Sequence, residues 1–261
     1  MQKDTQNSQV FHRLRLFNLV MGGIHFIQFG LMLYLSNNFH LPITLSYLEF
    51  NTSTQSLELT TSTLAEITIA PLVALFLLIS AIAHFSLSSP WGYHWYVKNL
   101  QRHINYARWF EYAFSSSVMI VVIAMLVGIY DLGTLIPIFA INACMNLFGM
   151  MMELHNQTTQ KTNWMSYYCG VFAGIIPWIV IILYLGGATI ASEGSIPEFV
   201  YYIFFSIGIF FNIFAINMIL QYKKIGKWKD YLYGERVYII LSLVAKSALA
   251  WQVFAGTLRP M

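Results

Sequence analysis

Charge is scarce in this sequence. Of its 261 residues 10% are charged and 57% are hydrophobic, whereas about a quarter of a soluble domain is charged. A chain this apolar reads as a membrane protein. Cysteine is nearly missing: Cys144 and Cys169 both fall inside apolar runs, which excludes a disulfide framework and a thiolate metal site and leaves them to packing. There is no phosphate-binding glycine loop, no H-E-x-x-H pair and no nucleophile elbow. A hydrolase is therefore disfavoured, and no enzymatic activity is expected. The net charge of +3 would point to nucleic acid in a soluble protein. Here the basic residues gather at the ends of apolar segments, as membrane topology demands, so no nucleic-acid partner is expected.

What is there is a series of apolar stretches. A hydrocarbon core about 30 Å thick asks for roughly 20 apolar residues per helix. Seven stretches meet that length, at about 14–35, 64–87, 104–130, 134–152, 164–186, 199–220 and 237–257. The expected fold is all-α, one seven-transmembrane-helix domain over residues 1–261. The basic N-terminus followed by an apolar run mimics a signal peptide, but the run is too long and lacks a small-residue cleavage site, so it reads as a retained first span. Pro71, Pro137 and Pro177 fall in or at the ends of spans, where neighbouring groups can satisfy the freed carbonyls.

Positive charge is absent from one set of loops. Lys3, Arg13, Arg15, Lys98, Arg102, Lys161, Lys223, Lys224, Lys227, Lys229 and Arg236 all fall on one side, and the other offers only Arg259. The positive-inside rule makes the N-terminus cytoplasmic and the C-terminus extracellular, in the cell membrane. The one long connection, 36–63, is rich in Ser and Thr and partly alternating, which predicts a short hairpin over the outer face. Its Asn51-Thr52-Ser53 triplet is a glycosylation pattern by letter only.

Against this background a few polar groups stand out as costly. Lys246 lies midway along the last span, and a lysine at bilayer depth costs a few kcal/mol or more unless it is paired, neutralised or chemically used. One reading is structural, an interhelical bond or a station in an ion pathway. The other is covalent, because a desolvated amine can condense with a carbonyl to give a Schiff base. On the third span Arg108 and Glu111 share a helical face. At 1.5 Å per residue, Glu111 is about 10 Å past Ile104 and Lys246 about 14 Å past Val237, counted from the same side. The two can meet, as a structural salt bridge or as a protonated Schiff base with its counterion.

Ser242 lies one turn before Lys246, His25 and Gln28 share a face of the first span, and Ser80 and His84 share a face of the second. The histidines can be proton acceptors, metal ligands or satisfied polar residues, with metal weakest because no third ligand is spaced near them. The aromatic residues of the last three spans can pack the bundle or sandwich a flat conjugated ligand.

Seven spans, a lysine in the last and a carboxylate at matching depth in the third look like a retinal-binding rhodopsin. The inward N-terminus, Arg108-x-x-Glu111-Tyr112, Ser115-Ser116-Ser117-Val118-Met119-Ile120 and Leu241-Ser242-Leu243-Val244-Ala245-Lys246-Ser247-Ala248-Leu249-Ala250-Trp251 resemble heliorhodopsin. The likeness extends through Leu220-Gln221-Tyr222-Lys223 and Gly234-Glu235-Arg236 and back to His25 and His84. The resemblance implies all-trans retinal bound covalently at Lys246, with Glu111 as counterion supported by Ser80 and Ser242. It implies a polar cavity on the cytoplasmic side formed by His25 and His84, with Gln28, and bordered by Arg108. Tyr112, Met119, Asn142, Trp178 and Phe211 are the implied chromophore lining.

The resemblance also implies a homodimer and a slow photocycle serving light sensing and signalling. Glu198 departs from the family pattern and keeps an alternative open, a light-gated or light-driven ion (proton) conductor. A retinal-free transporter built on Lys246 and Glu111 is a third class. The basic 223–229 segment would face membrane lipid or an unknown soluble cytoplasmic partner.

Overall fold

A computed structural model describes residues 2–191 and 197–259, with side chains from Gln9 onward. Eight α-helices appear among the described residues: α1 (Gln2–Leu35), α2 (Ile69–Ser88), α3 (Pro90–Leu100), α4 (Tyr106–Leu126), α5 (Leu132–His155), α6 (Met165–Ala191), α7 (Glu198–Tyr222) and α8 (Tyr231–Val253). All but α3 are long and apolar enough to cross a membrane, α8 being continued by a π-helical turn to Leu258. The chain is an integral multi-pass membrane protein. One end of the bundle, here the basic face, carries the α2–α4, α5–α6 and α7–α8 connections. The other, the hairpin face, carries the rest.

Polar residues placed just ahead of α4, α5 and α8 set where each begins. Asn105 accepts a hydrogen bond from the Arg108 amide at 3.1 Å, Asp131 from Thr134 at 2.9 Å and Asp230 from Leu232 at 3.0 Å. Each fills an orphan donor of a first turn. The Asp230 cap starts α8 at Tyr231, six residues before the apolar run that marked it at 237, so its first turns are polar and hold Glu235. The short α3 has no counterpart among the seven apolar stretches because it is amphipathic and below spanning length; Ser89 caps it with Pro90 at its first position.

The 36–63 connection forms more than a short hairpin. Antiparallel strands β1 (His40–Asn51) and β2 (Ser56–Thr68) pair along their whole length. The β-branched residues Thr60, Thr61, Thr63, Ile67 and Thr68 favour strand and carry β2 through Glu66, so the second span begins at Ile69 and not at 64. Thr44 N donates to Tyr130 O at 2.9 Å and Ile69 N to Phe39 O at 3.0 Å, while Leu41 and Ile43 are buried against the bundle. The hairpin is thus fixed to the start of α2 and to the α4–α5 connection.

The candidate chromophore site

Ser242, Ala245, Lys246 and Leu249 recur at helical spacing on the buried face of α8, so Lys246 points into the bundle and is 3% exposed. Its ammonium has three N–H groups, and each finds an acceptor: Ser80 Oγ at 2.6 Å, Glu111 Oε1 at 2.6 Å and Ser242 Oγ at 2.9 Å. Ser80 in turn donates to the same Glu111 oxygen at 2.6 Å. Three helices therefore converge on one nitrogen, with α2 giving a hydroxyl, α4 a carboxylate and α8 the amine itself. The Tyr112 ring adds a face 5.2 Å from the nitrogen, worth about 2 kcal/mol in a desolvated site. Breaking a buried ion pair by removing one partner costs about 3–5 kcal/mol, so neither charge is idle.

On one side of Lys246 opens a cavity of about 130 Å3 between α4, α5, α6, α7 and α8. Tyr112, Met119 and Phe211 line it, as do Trp109, Phe214 and Tyr238. Room is made by small residues, chiefly Gly149 and Gly170. A Cβ at Gly149 would come within 2.3 Å of the Trp109 ring, closer than real contacts allow. Two residues expected in this lining stand behind it. Trp178 packs edge-on against Phe204 and Phe211 at 5.6 and 5.5 Å. Asn142 donates to Ser116 Oγ at 2.8 Å and Ser117 Oγ at 3.0 Å; Asn146, one turn further on α5, takes the lining position.

A second, smaller cavity of about 30 Å3 lies toward the basic face, lined among others by Asn18, His84, Arg108, Glu111 and Ser242. His84 shares its Nδ1 with Asn18 Oδ1 at 2.8 Å, and the His25 ring stacks behind it at 5.7 Å. Neither ring nitrogen of His25 has a hydrogen-bond partner in the protein. Gln28 does not join this group. One turn beyond His25, it accepts from Trp251 Nε1 at 3.0 Å, on the hairpin side of Lys246. Tyr96 of α3 also borders the cavity, its phenol held above the usual range first by burial and then by nearby Glu235.

Arg108 borders the small cavity, but its guanidinium turns away from Glu111. It grips Glu235 through Nη1 and Glu153 through Nη2, all three side chains nearly inaccessible. Asn105 Nδ2 adds a bond to Glu235 at 2.8 Å, and Trp109 Nε1 one to Glu153 at 2.6 Å. The Tyr238 ring lies 4.1 Å from the guanidinium carbon. The sequence carried a signal for this cluster, two acids near the basic ends of α5 and α8. Glu198 is exposed in the first turn of α7, where a carboxylate favours the helix dipole. Of the other acids, Glu66 lies on β2.

The chain matches the family model for heliorhodopsin over residues 14–258, nearly its whole length. It belongs to the heliorhodopsin family. Membership implies a retinal chromophore in a photoreceptor-type rhodopsin. The residues present suit that group: a buried primary amine at the mouth of a ring-lined apolar cavity, with a carboxylate at 2.6 Å to balance charge on its nitrogen. Among solved structures the chain is similar to the crystal structure of a light-driven proton pump, LR (Mac), from Leptosphaeria maculans. The two share 14% identity over 90% of this chain and 92% of that one, with a TM-score of 0.61. At that identity the likeness establishes the seven-helix fold. No curated protein matches the chain.

Proposed function

We propose that this heliorhodopsin is a light sensor in which Lys246 carries all-trans retinal covalently and Glu111 is the counterion. Bound there, retinal supplies visible absorption and a light-driven change of shape. The carrying observation is the contact between Lys246 Nζ and Glu111 Oε1, buried and shared with Ser80. Ser80 and Ser242 fix the direction in which the nitrogen presents its proton. Glu111 holds positive charge on that nitrogen in a low-dielectric site. His84, across the small cavity, and His25 behind it receive a proton leaving toward the basic face. The altered charge then biases helix positions at that face.

By the positive-inside rule the basic face is cytoplasmic and the C-terminus extracellular, in the cell membrane. The exposed Lys223–Lys229 segment would meet anionic lipid or a soluble partner there, and resemblance adds a homodimer. The distribution of acids supports sensing over pumping. Among the described spans, Glu111 is paired with Lys246, Glu153 and Glu235 sit together at the basic end, and Glu198 is exposed at the start of α7. Among the described residues no carboxylate lies inside the bundle between Lys246 and the hairpin face to take a proton onward.

Expression with all-trans retinal should give a visible absorption band that hydroxylamine bleaches, with no steady photocurrent under voltage clamp. A colourless protein would end the reading. A sustained current abolished by Glu198→Gln would replace it with light-gated or light-driven ion conduction.

A further inference from the structure

At the basic face, the α3–α4 and α5–α6 connections and the adjoining ends of α5, α7 and α8 leave an open polar cavity of about 600 Å3, distinct from the two around Lys246. Arg102, His103, Lys224 and Lys229 stand on its rim, and Glu153 and Tyr231 form its floor. The geometry points to a binding site for a small oxyanion, a phosphate or phosphoryl group, held by these rim cations. Among the described residues no carboxylate lies within ion-pair distance of Arg102, Lys224 or Lys229. Arg102 makes one long bond, 3.3 Å to Gln157. Three like charges around one concavity repel each other until an anion enters.

The floor does not invite a cation. Glu153 Oε1 accepts from Arg108 and from Tyr231 at 3.2 Å, while Oε2 accepts from the Asn105 amide at 3.0 Å and from Trp109 at 2.6 Å. Its acceptor sites are filled from inside, so the rim decides the sign of the ligand.

The backbone supports the same assignment. Three non-glycine residues have positive φ among the described residues, and two of them are on this rim: His103 at 56° and Lys224 at 54°. Both end a helix, where glycine is the usual occupant because it adopts this conformation without strain. Here each position instead delivers a nitrogen-bearing side chain to the cavity mouth, and His103 is further held by stacking on Tyr231 at 4.9 Å. Such backbone outliers gather where a site over-determines them.

Occupancy is felt at the chromophore site through Tyr231, Glu153 and Arg108, whose neighbours Trp109 and Tyr238 line the larger inner cavity. This coupling rests on the light-sensing reading; the binding does not.

Titrating inorganic phosphate into the retinal-treated full chain in detergent, followed by calorimetry at fixed ionic strength, should give saturable heat. Arg102→Gln combined with Lys229→Gln should weaken it about tenfold or more, since each removes a charge-assisted hydrogen bond. No saturable heat, or equal heat in the variant, overturns the site. Phosphatidylglycerol nanodiscs that abolish the heat, with phosphatidylcholine discs that keep it, assign the site to a lipid headgroup. Heat retained in both assigns it to a soluble phosphate. In flash photolysis, phosphate should change the decay of the parent and not of Tyr231→Phe. A decay indifferent to phosphate in a protein that binds it overturns the coupling, whereas a colourless protein that still binds overturns only the light-sensing reading.

Discussion

Two buried charge clusters lie about three turns apart on α8, at Glu235 and Lys246, and they are built on different arithmetic. At Lys246 one cation meets one carboxylate, with hydroxyls filling the remaining donors. At Arg108 one cation meets two carboxylates, Glu153 and Glu235, helped by an asparagine, an indole and a phenol. The balanced pair uses lysine, whose amine can form a covalent bond and give up a proton. The overloaded cluster uses arginine, whose guanidinium keeps its charge and binds through a planar fork. One is fitted to change state, the other to hold still. The bundle thus places a reactive centre in its middle and a fixed tie among α4, α5 and α8 at its basic end.

Changes at the reactive pair should be read in colour. Lys246→Ala removes the amine, and the visible band should vanish entirely when the variant is supplied with retinal; any residual hydroxylamine-sensitive band would move the attachment point elsewhere. Glu111→Gln leaves the amine without its carboxylate, so the absorption maximum should shift to the red, and an unchanged spectrum would remove Glu111 as counterion. Arg108→Gln belongs to the other cluster and should be read in stability. It leaves two carboxylates buried without a cation, at a cost of about 3–5 kcal/mol, so thermal unfolding should occur at a clearly lower temperature. Glu235→Gln should cost less: it leaves one arginine with one carboxylate, and the new amide oxygen can still accept from Arg108, while the Asn105 Nδ2 bond to the second oxygen is lost. Its stability should fall by about 1–3 kcal/mol, the cost of one unpaired buried donor. Comparable losses in both variants would mean that the two-to-one charge count does not govern this end of the bundle.

The pairing of Lys246 with Glu111 was legible in the sequence because depth is a one-dimensional quantity. Counting residues from span ends sufficed to put the two groups level. Rotation and the true helix starts were not legible. Arg108 and Glu111 share a face by spacing, yet one turn of helix is enough to send Glu111 to α8's middle and Arg108 to its first turns. The partner Glu235 was hidden because the first turns of α8 are polar and only the Asp230 cap reveals them as helix. Asn142 and Trp178 show the same limit, since each lies one layer behind the side chains that line the cavity. The hairpin was legible from its alternation, though its length was not, because Leu64, Ala65 and Ile67 are apolar enough to pass for the start of a span.

A fourth carboxylate sharpens the contrast from outside the membrane. Glu58, fully exposed near the hairpin tip, accepts from Asn51 Nδ2 at 2.9 Å and Thr54 Oγ1 at 2.6 Å. Those bonds, Asn51's first, favour its charged form and hold its pKa below the usual carboxylate value of 4.5. Because the folded value is the lower one, the contribution to hairpin stability is present above the unfolded pKa and fades as pH falls through the folded pKa. Following the Glu58 carboxyl signal by NMR against pH should give a midpoint below 4.5, rising toward that value in Asn51→Ala. The visible spectrum should stay the same in that variant, since water screens a charge at the tip. A colour change there would mean that the hairpin reports to the Lys246 site, and the separation between fixed and reactive charge would have to include the outer face as well.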